Sequence, residues 1–144
     1  MRVASGPRQL SLFKGRRQRG LTPPPPLEFQ TQCALADTLK RWCNPQWWYS
    51  ALPFGEYRTP ATANRLARMG VRGGLPDFVF LGMLGDTAWL ELKRGKLGRL
   101  SPDQAAMFEY LARRGDTVML ATSYEEAVAA LQDIGILPRT IQVQ

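Results

Sequence analysis

The sequence predicts an α/β fold in which a mixed central sheet is flanked by helices. Three observations lead there. From residue 27 the chain alternates between helical and strand patterning, in the order helix, strand, helix, strand, strand, helix, strand, helix. Two of those strands follow one another across a turn containing Gly82, Gly85 and Asp86, as in a hairpin. The helices are punctuated by caps, prolines and glycines at the expected ends.

The first helix is predicted over residues 27–43, "LEFQTQCALADTLKRWC". Glu28, Leu35, Leu39 and Trp42 fall at spacings of 7, 4 and 3 and share one stripe. "QWWYSAL", 46–52, is aromatic-rich and favours a strand. Its cluster "RWCNPQWWYS" reads first as core, although such rings also stack on bases. Thr59-Pro60 is a cap followed by first-turn proline, and the helix "ATANRLARM" stops at Gly70. "DFVFLG", 77–82, and "TAWLELK", 87–93, are strands. Ser101 and Gln104 have capping-box spacing for a helix running to Arg114 and ending at Gly115. "TVMLAT", 117–122, is a strand. Ser123 and Glu126 repeat the capping-box spacing for a helix to Asp133, and "TIQVQ" reads as a last short strand.

At 144 residues this is one domain with a tail. Residues 1–26 are predicted to be a disordered basic segment ending in "PPPP", a stiff spacer, with the globular domain at 27–144. An organelle transit peptide is the weaker alternative for that arginine-rich start. No apolar run reaches membrane-spanning length. The two cysteines, Cys33 and Cys43, fit neither a disulfide framework nor a zinc site, so a reducing cytoplasm is expected. There is no histidine, which excludes Ser/His triads and histidine general bases. A bound metal would be a hard cation on oxygen ligands, Mg²⁺ or Mn²⁺. Arg2, Arg8, Lys14, Arg16, Arg17 and Arg19, with no acid before residue 20, supply +6 of the net +7. Such a tail suits a polyanionic partner such as nucleic acid, or merely solubilises the terminus.

"WLELKRGK", 89–96, carries the chemistry. A strand here puts Leu90 and Leu92 on one face and Trp89, Glu91 and Lys93 on the other. Alone, Glu91 and Lys93 read as an exposed ion pair of little worth. A regular hairpin turning near Leu84 pairs residues whose numbers add to 168, which sets Asp77 opposite Glu91. Both faces of that hairpin are apolar, so both are expected to be covered. Two carboxylates at the end of a covered face call for a shared proton or a cation. Glu28 lies on the first helix's apolar stripe and would point towards them, unless it is only a helix N-terminal acid favoured by the dipole. Gln104 stands on the core side of its helix with Phe108 and Leu111, and also suits the capping box of Ser101.

"GGLPDF", then "WLELK", then "LSPDQ" resembles the PD-(D/E)XK nuclease superfamily, and within it the virus-type replication-repair nuclease (VRR-NUC) domain. "FGEYR" and "ANRLARMGVRGG", which contains Arg72, resemble the family's segment before the Pro-Asp turn. The resemblance covers roughly residues 27–122. It implies a restriction-endonuclease-like core and a metal-dependent endodeoxyribonuclease acting on branched DNA such as Holliday junctions or flaps. It implies Mg²⁺ or Mn²⁺ on Glu28, Asp77, Glu91 and the Leu92 carbonyl. Asp77, Glu91, Lys93 and Gln104 would be catalytic, Lys93 serving the water and the phosphate, Gln104 positioning the water or a phosphate oxygen. Arg94, Lys96, Arg99 and Arg72 would meet the DNA backbone. A homodimer, suited to a two-fold junction, is implied as well.

"QLSLF", 9–13, is apolar within the basic tail. It resembles the bacterial sliding-clamp binding motif, with Leu10, Leu12 and Phe13 as anchors and Gln9 as the hydrogen-bonding residue. That implies a clamp-tethered nuclease in a bacterium or phage-infected cell. The rival readings are a non-catalytic DNA- or clamp-binding adaptor on a nuclease fold, and a restriction-type duplex endonuclease.

Overall fold

A computed structural model describes residues 28–53, 59–95 and 98–141. The clamp-like pentapeptide, the proline spacer, "FGEYR", Lys96 and the end of "TIQVQ" lie outside those residues. Among the described residues, no helix is long and apolar enough to cross a membrane.

The elements follow the predicted order: α1 (Glu28–Trp42), β1 (Trp47–Ala51), α2 (Pro60–Arg68), β2 (Phe78–Gly82), β3 (Thr87–Leu92), α3 (Pro102–Arg113), β4 (Thr117–Ala121) and α4 (Tyr124–Asp133). The strands form one sheet in the order β1-β2-β3-β4. β1 and β2 are antiparallel, as are β2 and β3, while β4 runs parallel to β3 through the α3 crossover. The sheet is therefore mixed. The hairpin register is the one anticipated: Phe78 faces Leu90, Val79 faces Trp89, and Leu81 faces Thr87.

One sheet face holds the core. Phe78, Phe80, Ala88, Leu90, Leu92 and Ala121 pack against Leu35 and Leu39 of α1, Ala127, Val128 and Leu131 of α4, and Ile136 and Leu137 beyond it. Burying these apolar side chains supplies the main favourable term, at about 25 cal/mol per Å². Trp47 and Tyr49 pack against the same cluster from β1. A short bond between Thr38 Oγ1 and the Tyr124 hydroxyl, 2.6 Å, ties α1 to α4.

The other face is covered only in part, contrary to expectation. α3 lies over the β3–β4 side, where Leu111 is buried. Over β1 and β2 no described helix packs, so Trp48 is 59% and Leu81 45% exposed. The α1 stripe is also shorter than predicted. Leu35 and Leu39 are buried at its middle, while Glu28 and Trp42, at the two helix ends, are exposed. Thr140 and Ile141 are not in a strand.

Candidate active site

Glu91 is the one charged residue buried among those described, at 2% exposure. Its position follows from alternation. Leu90 and Leu92 enter the core, so Glu91 is driven to the opposite face, under α3. A carboxylate there needs partners. Lys93, two residues on and on the same face, places Nζ 2.8 Å from Glu91 Oε1. Gln104, in the first turn of α3, donates from Nε2 to the same Oε1 at 2.6 Å. Lys93 Nζ also donates to Gln104 Oε1 at 2.9 Å, closing a triangle.

Gln104 serves this triangle and the helix cap together. The Ser101 N–H donates to Gln104 Oε1 at 3.0 Å, and the Gln104 N–H donates to Ser101 Oγ at 3.2 Å. The capping-box expectation for this residue therefore holds, and its side chain also lies against Glu91 and Lys93. Its carbonyl oxygen already accepts two hydrogen bonds, which fills its two lone pairs. It orients Lys93 and Glu91 rather than offering that oxygen to a water.

Asp77 stands just before β2, one residue beyond the Phe78–Leu90 pair, on the side of the hairpin where Glu91 follows Leu90. Its Oδ2 accepts from the Leu92 N–H at 2.7 Å. Burial pushes its carboxyl up to about 6, the Leu92 N–H opposes that, Glu91 raises it further, Lys93 lowers it and Glu28 raises it. Glu28 reaches the rim of the site: it lines a cavity of about 310 Å³ with Phe29, Cys33, Leu52 and Asp77.

Oxygen atoms suited to a hard cation lie at this end of the sheet. Glu91 Oε2 is buried and has no hydrogen-bond partner among the described residues, a costly state for a carboxylate oxygen. A strand residue presents its N–H and C=O to the same neighbour. Since the Leu92 N–H meets Asp77 and the Lys93 N–H meets Ala121, the Leu92 carbonyl faces the Asp77 side. Among the described residues no three His, Cys, Asp or Glu side chains cluster as a self-sufficient metal cage. Two carboxylates and a carbonyl suit Mg²⁺, which keeps several waters and takes further oxygens from phosphate.

Of the basic residues, Arg72, Arg94 and Arg99 are exposed. Two glycines join the site, Gly74 from the "GGLPDF" motif and Gly98, which no motif singles out. A Cβ on Gly98 would lie 2.7 Å from Lys93 Cβ and 2.8 Å from the Arg94 N, so the loop folds tightly back on Lys93. Gly74, at φ +94°, sits where a Cβ would meet the Asp103 carbonyl oxygen at 2.7 Å, beside Gln104. The signal for Gly74 is its place in "GGLPDF"; nothing local distinguishes Gly98. Trp89 also has an explanation: its Nε1 donates to Asp116 Oδ2 at 3.0 Å under the end of α3.

This architecture is shared with solved structures. A "VRR_NUC domain protein" matches with a TM-score of 0.57 at 21% identity, over 83% of this chain and 92% of that one. A "VRR_NUC domain" structure matches with a TM-score of 0.51 at 19% identity, over 74% of this chain and 94% of that one. The chain thus has the fold of those VRR_NUC domains. No family model and no curated protein matches it.

Proposed function

We propose that this VRR_NUC-like chain is a Mg²⁺-dependent DNA endonuclease that hydrolyses phosphodiester bonds in branched substrates such as junctions or flaps. The observation that carries the reading is Glu91 Oε2, a buried and unpartnered carboxylate oxygen beside Asp77 and Lys93. A solvated ion pair explains exposed charges; it does not explain a buried carboxylate with one oxygen unsatisfied.

Asp77, Glu91 and the Leu92 carbonyl would hold the cation, with Glu28 at the rim supplying a direct or water-mediated ligand. The bound cation would polarise the phosphate and lower the pKa of a water. The chain's own residues do the rest. Lys93 has three N–H donors and uses two, on Glu91 and Gln104. The third serves the attacking water or a phosphate oxygen. Gln104 holds that ammonium and Glu91 in one orientation, so the site is set before DNA arrives. Arg72, Arg94, Lys96 and Arg99 would meet the backbone around the scissile bond. A homodimer would match a two-fold junction, and Gln9, Leu10, Leu12 and Phe13 would tether the enzyme to a bacterial sliding clamp.

The test is cleavage of labelled junction, flap, duplex and single-stranded DNA with Mg²⁺ or Mn²⁺. Activity should need the metal and fall by at least about a hundredfold in Glu91→Ala and Lys93→Ala. Metal-dependent cleavage that survives both substitutions would remove this site from consideration. A preparation that binds DNA and never cleaves it would favour the adaptor reading.

A further inference from the structure

Residues 52–77 connect β1 to β2, although Ala51 and Phe78 are direct partners and the Leu52 N–H donates to the Asp77 carbonyl at 2.7 Å. Neighbouring antiparallel strands need only a two-residue turn. The sheet therefore does not require this excursion, and it departs and returns at the end where Asp77 stands.

α2 lies within it and buries no residue. Nine residues make a marginal helix unless packing or caps support it. Here the caps do. Thr59 accepts from the Thr62 N–H, Pro60 opens the first turn, and Gly70 at φ +91° follows the end. Leu66 is half-buried on the inner side. On the outer side Ala61, Asn64, Arg65, Arg68 and Met69 line a surface groove of about 460 Å³. From Thr59 to Pro76 the chain carries Arg65, Arg68 and Arg72 and no acid. None of the three makes an ion pair among the described residues. The far end of the excursion is pinned where Gly74 meets the Asp103 carbonyl, one residue before Gln104.

A cap-built helix whose outer face carries Arg65 and Arg68 and no acid, anchored to the elements that hold Lys93 and Glu91, is poorly explained by packing. We propose that the outer face of α2, carrying Asn64, Arg65 and Arg68, is a second contact for the phosphate backbone of the DNA whose scissile bond enters the Asp77–Glu91 site. This rests on the nuclease reading above. Arg65 and Arg68, three residues apart, are neighbours on one helix face, so both can meet the backbone of one strand. Each guanidinium fork can take a phosphate in two parallel bonds, and Asn64 adds a neutral donor.

The experiment measures DNA affinity of the full chain by fluorescence anisotropy, in EDTA so that strands stay intact, across a salt series. Arg65→Ala/Arg68→Ala should flatten the slope of log K against log salt by about 2, on every sequence alike. Arg65→Lys/Arg68→Lys should retain the slope. Helicity and melting temperature should hold in both, since α2 buries nothing. In Mg²⁺, cleavage by the alanine pair should show a raised KM with kcat kept. An unchanged salt slope overturns the proposal. So does a pair that loses binding to phosphatidylserine vesicles while its DNA slope stays intact. A wild-type chain with the Arg65/Arg68-dependent slope but no cleavage supports the surface and defeats the active-site reading alone.

Discussion

Glu91 and its neighbours form a small closed circuit in which each group depends on another for its partner. Gln104 gives one hydrogen bond to Glu91 and receives one each from Lys93 and the Ser101 N–H. Gln104→Leu should therefore leave three polar groups short of a partner and lower stability by about 1–3 kcal/mol. Cleavage should fall with it, because Lys93 is no longer oriented. Gln104→Glu keeps the acceptors yet sets a second carboxylate on Glu91, so it should lose activity too. Urea unfolding and cleavage rates check both. Asp77 makes a separate forecast. Its carboxyl titrates at about 6 when folded, against an ordinary value of 3.8. The folded chain thus holds that proton more tightly than the unfolded chain does. Asp77 contributes stability that is complete below about pH 3.8 and lost as the pH rises through about 6. Without divalent metal, Asp77→Asn should gain on the wild type in melting temperature between about pH 4 and about pH 7, an interval around those values. Adding Mg²⁺ at about pH 7 should then raise the wild-type melting temperature and leave the variant's unchanged. Thermal melts at a series of pH values decide it.

The β2–β3 hairpin shows what patterning can and cannot specify. The pairing of Phe78 with Leu90 is readable because Gly82, Gly85 and Asp86 mark the turn and apolar alternation fixes the face. That alone sets Asp77 across from Glu91. Apolar residues on both faces imply a buried Glu91, and it is buried, but for a narrower reason: α3 covers that end, while Trp48 and Leu81 remain exposed. Sequence periodicity says which side chains share a face, not which helix lies over it. Capping is legible to the same extent. Ser123 accepts from the Glu126 N–H as the spacing suggests, yet the Glu126 carboxylate turns to the Thr122 N–H and hydroxyl instead of closing the box. Those two bonds hold the Glu126 carboxyl below its ordinary value. Nor does spacing reveal a close approach in space, such as Gly74 against α3. Gly74→Ala combines a strained φ of +94° with a contact at 2.7 Å to backbone. It should cost about 1–3 kcal/mol. Because the loop sets both Asp77 and the turn holding Gln104, cleavage should drop by more than the loss of folded protein explains. Activity normalised to the folded fraction tests that.

Most of the net charge lies apart in the sequence from the residues that form the described core. Among the described residues the buried core runs from Leu35 to Leu137. Six of the seven net positive charges fall before residue 20, and the remainder of the chain is close to neutral. Long-range attraction to a polyanion is therefore concentrated in that basic segment. The domain keeps cations near the site at Arg72, Arg94 and Arg99, offset elsewhere by acids such as Glu109 and Asp133. A deletion of the basic segment separates its part from that of the site. Removing residues 1–20 should leave the melting temperature unchanged, because the core formed by the described residues stays whole. The same deletion should weaken DNA binding sharply at low salt and much less at high salt, since a charge-driven term is screened. Cleavage at saturating DNA should persist, because Asp77, Glu91 and Lys93 are untouched. Binding to a bacterial sliding clamp should vanish with the deletion and equally with Leu12→Ala/Phe13→Ala, which leaves the charge intact. That pair separates the apolar motif from the basic residues around it. If clamp binding falls only with the deletion, the attraction is electrostatic and the pentapeptide has no part in it.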